Sequence, residues 1–324
     1  MSSARGGQPI GTRPREYTDL TTRPTSEARE VQLFCGLPYV LNEEVADDLY
    51  AGRRRPEWLW MALRGDRLLA RAGWWGQPDE ATPSVLDILD LDDDPNAVDI
   101  TARLLTIAMS EILPPETPRP EYVRFVPSDW RDQPSTARGI EARMEALERT
   151  GAHLLVERLR FEWRSGTPVA APTGRLSFQG VSDNAQLLDL MTAALEGTLD
   201  AQSRLDLARG SARAAAVSHF EGELARYASP RDWWRLATLP DREPVGFVIP
   251  ARNDYHSIIA YLAVLPKHRG NGYVSDVLAE GTRILEGQQV PRIRASTDIQ
   301  NVPMARAFLQ AGWLNFERTI KMTW

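Results

Sequence analysis

Cysteine is nearly absent. Cys35 is the only one in 324 residues, which excludes a disulfide framework and a cysteine-based zinc site. Histidine is almost as scarce: His153, His219, His256 and His268 are scattered, with no metal-ligand spacing, and no metal is expected. Long apolar runs are missing too. Nothing approaches the roughly 18 apolar residues that an α-helical membrane span requires, and residues 1–7 are polar where a secretion signal would be apolar. These absences make the reducing cytoplasm the expected location. A basic surplus is also lacking, with net charge −6 and pI near 5.4. The one compact basic run, Arg53-Arg54-Arg55, is followed at once by Pro56-Glu57 and reads as a solvated loop. A binder of phosphate backbones concentrates positive charge, so nucleic acid is not an expected partner.

What is present is ordinary for a globular protein, with 43 % apolar and 25 % charged residues. The length suits two domains of about 150 residues each. Residues 1–16 read as a flexible leader, and residues 165–174, with Pro168 and Pro172 among small residues, read as a linker. The two sides of that linker echo each other. Leu147-Glu148-Arg149-Thr150-Gly151 precedes a strand-like run to Trp163, and Phe308-Leu309-Gln310-Ala311-Gly312 precedes one to Trp324. Gly151 and Gly312 are 161 residues apart, as are Trp163 and Trp324. A second echo joins the turn at Asp66-Arg67 to that at Asp241-Arg242, each between strand-like runs. Two echoes in the same order point to a duplicated domain, 17–164 and 175–324. Ten tryptophans, including the pairs Trp74-Trp75 and Trp233-Trp234, are expected mostly in the cores.

In the second half the periodicity predicts a strand over 175–181, helices over 184–195 and 211–227, and a hairpin of 233–239 with 245–250. A longer apolar strand over 256–265 follows, then a glycine-bearing turn and a helix to about 286. A strand at 292–296, a helix at 303–311 and a final pair of strands complete a mixed α/β sheet domain. The turn carries the chemistry. Lys267-His268-Arg269-Gly270-Asn271-Gly272 lies between an apolar strand and a helix start. A helix N-terminus presents unsatisfied amide N–H groups and partial positive charge to an anion. Gly270 and Gly272 leave the backbone bare and tolerate positive φ, so the turn suits a pyrophosphate, with basic side chains at its rim.

The pattern Leu262-x-Val264-x-Pro266-x-x-Arg269-Gly270-x-Gly272, followed by Asn301-x-x-Met304 and Gly312-Trp313, resembles the acyl-CoA motif of the GCN5-related N-acetyltransferase (GNAT) superfamily over about residues 175–324. The arrangement resembles tandem GNATs of the mycothiol synthase-like kind. The fold this implies is α/β (α+β), two tandem GNAT-like domains, each a mixed, mostly antiparallel sheet flanked by helices. The resemblance implies acetyl-CoA as cosubstrate. The backbone of Leu262, Ala263 and Val264 would pair with pantetheine, and an N–H near Val264 would polarise the thioester. Lys267, His268, Arg269, Gly270, Asn271, Gly272, Tyr273, Val274 and Ser275 would surround the pyrophosphate, and Asn301 would sit near the pantetheine arm. Val274 stands where the family turn has Gly or Ala. The matching stretch of the first half offers Asp92-Asp93-Asp94 and no glycine, so that half is expected to have lost CoA binding.

The expected reaction is acetyl transfer to a primary amine of a small molecule. It needs a base for the amine and an acid for the thiolate. The positions where relatives carry a glutamate and a tyrosine hold Ile258 and Phe308. The candidates left are His256, with Tyr255 beside it, Asp298 and Tyr261, and Glu196 as an amine-binding carboxylate. The alternatives are a non-catalytic acyl-CoA binder and acetylation of a peptide or protein amine.

Overall fold

The structure, a computed structural model, describes residues 19–26 and 30–324. The expected leader, residues 1–16, lies outside the described residues. The chain forms two compact units. One holds the chain up to Arg119 with Glu145–Thr150, and the other holds Pro120–Met144 with Gly151–Trp324.

In the first unit β1 (Leu20–Pro24) is followed by the short helices α1 (Glu30–Phe34) and α2 (Val45–Tyr50). Strands β2 (Leu59–Arg64), β3 (Arg67–Trp75) and β4 (Val85–Leu91) come next, then α3 (Ala97–Ile112). The strands pair antiparallel in the order β1-β2-β3-β4. Helix α3 places Ile100, Leu104, Leu105 and Ala108 on one stripe, all fully buried. The run Asp92-Asp93-Asp94 is tied to the β2–β3 hairpin: Arg67 pairs with Asp92 and Asp93, and Arg64 with Asp94.

The second unit adds β5 (Glu121–Pro127), α4 (Pro134–Glu148, whose last residues belong to the first unit) and β6 (His153–Arg164). After residues 165–174 come β7 (Ser177–Gly180), α5 (Asn184–Ala194), α6 (Ala201–Arg209), α7 (Ala212–Gly222), β8 (Arg235–Thr238) and β9 (Pro244–Arg252). Then follow β10 (Ser257–Val264), α8 (Tyr273–Glu286), β11 (Arg292–Asp298), α9 (Val302–Gln310) and β12 (Leu314–Thr323). The strand order is β5-β12-β6-β11-β10-β9-β8-β7, antiparallel except between β10 and β11. Helices cover both faces. Phe161, Trp163, Ile293, Val277, Leu278 and Phe308 form the core under α8 and α9. Leu187, Met191, Phe220, Phe247 and Ile249 form the core under α5 and α7.

Three features differ from the sequence reading. The end of the chain is a single ten-residue strand, β12, with two register shifts against β6, rather than a pair of strands. Helix α6 was not read, because its buried residue is Ala201 alone and it shows no apolar stripe; Asp200 caps it by accepting the Ser203 N–H at 2.7 Å. Residues 165–174 contain no helix or strand but are docked. Val169 packs on the α8–α9 core, Ala170 O accepts from Arg283, and Thr173 Oγ1 donates to Asp276 at 2.6 Å. Strands β5 and β6 precede that segment in the chain yet pair with β12 and β11.

Candidate functional site

Strand β10 pairs with β9 along its whole length, with a bulge between Ile259 and Tyr261. Towards β11 the ladder holds only Ser257 and Ile258. Beyond that point the two parallel strands separate, and residues 259–264 present an open backbone edge inside the sheet. Such an edge is costly unless something pairs with it. The bulge shifts the strand's alternation, so that Leu262 and Val264 face the α8–α9 core and Tyr261 and Ala263 the α5–α7 core. A missed residue supports the geometry. A side chain on Gly246 of β9 would place its Cβ 2.2 Å from the Ala263 carbonyl oxygen, so only glycine lets β9 and β10 come this close.

The open edge leads into the turn. Gly270 and Gly272 have φ of 83° and 75°, and Gly272 is the N-cap of α8 with no side chain capping it. A Cβ on either glycine would meet nothing within 4 Å, so the backbone faces open space. Among the described residues no protein acceptor meets the amides of residues 270–274. Tyr273, Val274 and Ser275 form the first turn of α8, with the Ser275 N–H on Gly272 O at 3.1 Å. Backbone N–H groups without protein acceptors at the start of a 14-residue helix can receive an anion.

The basic side chains of the turn point elsewhere. Lys267 Nζ lies 2.5 Å and His268 Nε2 3.2 Å from Glu243 Oε1. Arg269 donates to Ala194 O at 2.8 Å, Glu196 O at 2.7 Å and Val264 O at 3.1 Å, fastening the end of α5 to the end of β10. Asn271 Nδ2 donates to His268 O. The cation beside the turn is Arg175, which donates to Asn271 O at 3.1 Å, pairs with Asp276, and lies 5.1 Å from the Tyr273 ring.

Residues 207–313 match the family model described as the Acetyltransferase (GNAT) family. That span contains the bulged strand, the open edge, the turn and Asn301. The matched span lies wholly in the second half of the chain. Among solved structures the chain is similar to a GCN5-related N-acetyltransferase from Sphaerobacter thermophilus, with TM-score 0.59, 14 % identity, and 96 % of each chain covered. It is also similar to a tandem GNAT protein from the clavulanic acid biosynthesis pathway, with TM-score 0.51, 14 % identity, and 94 % of this chain and 98 % of that one covered. Likeness at such identities concerns the fold alone, a mixed α/β arrangement with a large, mostly antiparallel sheet flanked by helices. No curated protein matches by sequence. Among the described residues no helix is long and apolar enough to cross a membrane.

On the α5–α7 face of the second unit, ionisable groups gather around Tyr261. The His219 ring lies 4.8 Å from the Tyr261 ring, and His219 Nε2 is 3.3 Å from Glu223, which accepts the Tyr227 hydroxyl at 2.6 Å. Desolvation pushes Glu223 up, but the bonds from His219 and Tyr227 outweigh it and hold the carboxyl below its usual range. Its side chain keeps 52 % of its surface, so the cluster is open to solvent. Burial, with the Asp200 charge, pushes the Tyr261 hydroxyl up to about 12. Burial also pulls the Asp200 carboxyl up, but Arg158 and the Ser203 amide hold it down. Asp298 is buried at the end of β11, accepts the Ala201 N–H at 2.6 Å, and lies 3.1 Å from Arg158 Nε without an aligned hydrogen bond. Burial raises its pKa against the pull of Arg158.

Tyr261 and Asp298 share Asp200 as a charged neighbour, whereas His256 lies elsewhere. It precedes β10 at the end remote from the turn, where Arg294 Nη1 donates to its Nε2 at 2.6 Å. Burial and then the charges of Arg294, Arg292 and Arg160 lower its pKa to about 4. Asn301 caps α9, accepting the Met304 N–H at 3.4 Å. The Glu196 side chain is exposed, and the part of Glu196 in use is its carbonyl, on Arg269. Phe308, at the position of a family tyrosine, stacks on Phe161 at 4.8 Å inside the core. His219, Glu223, Tyr227 and Arg158 were missed. The i,i+4 spacing of His219 and Glu223 was visible, but nothing local announced Tyr261 as their neighbour.

Proposed function

We propose that the chain is an N-acyltransferase that moves an acetyl group from acetyl-CoA to a primary amine of a small molecule. The observation that carries this reading is the open edge of β10 running into a turn of unpartnered amides at Gly270 and Gly272. An extended amide-bearing arm suits the edge, and a pyrophosphate suits the turn. The residues fit acetyl-CoA: the edge is unpaired, the turn is open, and Arg175 adds charge beside it. Bound acetyl-CoA supplies a thioester, whose carbonyl carbon gains the bond to the amine nitrogen as the C–S bond breaks. The amine loses a proton and the departing thiolate takes one up, so the products are the acetamide and free CoA thiol.

The chain's own groups would handle these protons. Glu223, held ionised and bonded to His219, gives the amine proton a route to solvent. Tyr261, whose hydroxyl keeps its proton at neutral pH, can donate to the thiolate. Amides on the open edge can polarise the thioester carbonyl. Asp298 acts through structure, tying β11 to α6 and Arg158.

The second reading is a non-catalytic acyl-CoA binder. It is favoured by Ile258 and by Phe308, a core ring where relatives carry a tyrosine. Release of free thiol from acetyl-CoA, measured across a panel of amines, separates the two. Amine-dependent release supports transfer; tight acetyl-CoA binding with no release for any amine supports the binder.

A further inference from the structure

Residues 165–175, between β6 and β7, form a strap along α8. Ala170 O accepts from Arg283 at 2.9 Å, and Thr173 Oγ1 donates to Asp276 Oδ1 at 2.6 Å. The strap therefore runs antiparallel to the helix and finishes at its first turn. Gly166 and Gly174, with φ of 90° and 76°, mark its two ends. Its middle is not fully packed: Pro168, Val169 and Ala170 form one wall of a pocket whose other walls include Ala279, Ala307 and Trp313. The last residues of the strap hold α8 by polar contacts instead.

Asp276 is the fourth residue of α8, about 6 Å along the axis from Gly272. That is an unfavourable place for a carboxylate beside an anion site. It draws on the partial positive charge of the helix start, and it would repel a pyrophosphate on the amides of residues 270–274. The strap answers both effects. Thr173 Oγ1 donates to one carboxylate oxygen and the Arg175 guanidinium pairs with the other, so the side chain keeps only 8 % of its surface. The same guanidinium donates to Asn271 O at 3.1 Å and lies 5.1 Å from the Tyr273 ring, so one cation spans the carboxylate and the turn. The turn's own cations are engaged elsewhere: Lys267 and His268 with Glu243, and Arg269 with the carbonyls ending α5.

We infer that Thr173 and Arg175 are positioning residues for the cosubstrate, acting through Asp276. The docked strap neutralises that carboxylate and leaves the start of α8 receptive to a pyrophosphate. With the strap away, the bare carboxylate turns the anion back. This rests on the acetyl-CoA reading. Strap docking and cosubstrate binding are then linked, each favouring the other by the same factor.

The test is a double-mutant cycle on Arg175→Gln and Asp276→Asn, with acetyl-CoA affinity read by calorimetry on proteins of unchanged melting temperature. Arg175→Gln is expected to weaken binding about tenfold or more, as for one unit charge uncovered near the anion. Thr173→Val, which frees one carboxylate oxygen, should weaken it in the same direction. Adding Asp276→Asn to Arg175→Gln should restore affinity to within about threefold of the wild type, since no carboxylate is left to neutralise. A double variant as weak as Arg175→Gln alone would make Arg175 a plain phosphate contact and overturn the inference, as would unchanged binding by Arg175→Gln. Hydrogen exchange reads the linkage from the other side. The amides of residues 167–175 should slow when acetyl-CoA binds the wild type, and no change there overturns it. Inorganic pyrophosphate, titrated into the same four proteins, separates this role from the acetyl-CoA reading. If acetyl-CoA fails to bind while pyrophosphate follows the cycle, the acetyl-CoA reading falls and the role of the strap stands; if neither binds the wild type, both fall.

Discussion

Glu223 and Tyr261 carry the sharpest predictions at the scale of single residues. If they move protons, Glu223→Gln and Tyr261→Phe should each lower kcat about a hundredfold while acetyl-CoA binding stays unchanged. A fall in acetyl-CoA affinity matching the fall in rate would make them structural instead. His256 gives a prediction in pH. Its pKa is about 4 in the folded chain and about 6.5 when unfolded, so the unfolded state binds more protons between those values. Stability therefore falls as pH drops from about 6.5 to about 4, and His256→Gln should flatten that part of a melting-temperature profile. An unchanged slope would mean that the arginines around it do not act on the imidazole. The glycines of the turn were legible in the sequence, because bare backbone at a helix start is a local feature. The fate of Lys267, His268 and Arg269 was not: their partners are Glu243 and the carbonyls ending α5, and only the fold brings those within reach.

Among the elements, β10 decides the site, because it is fully paired on one side and released on the other after Ile258. Its apolar run marked it as a strand, but the release depends on β11 diverging and leaves no trace in composition. Gly246 holds the other side together. Gly246→Ala would drive a Cβ into the Ala263 carbonyl and should cost about 2 kcal/mol or more in denaturant unfolding. An unchanged midpoint would show that β9 and β10 can separate without loss. The elements read correctly, α5, α8, β11 and α9 among them, have apolar stripes or alternation that packing then used. Helix α6 was invisible for the converse reason. It is held by the Asp200 cap and by Asp298 on its first amide rather than by an apolar face.

Across the whole chain, the 161-residue echo recurs in the strand pairing. Strands β6 and β12 carry the two copies of the echoed segment and lie side by side, antiparallel, with Arg158 opposite Thr319. Those two residues are themselves 161 apart, so the ladder is symmetric about them. Strand β6 also supplies Phe161 and Trp163 to the core beneath α8 and α9. A fragment of residues 175–324 should therefore aggregate or lack a cooperative melt, whereas the full chain melts cooperatively. A soluble, cooperative fragment would show that β6 is dispensable to the second half. The sharpest test of the central claim is calorimetric titration of the full chain with acetyl-CoA, beside a Gly272→Asp variant of unchanged circular dichroism. One site per chain in the wild type, lost when a carboxylate faces the turn, is the result expected. No binding by the wild type, or equal binding by the variant, would contradict the assignment of this turn to the pyrophosphate.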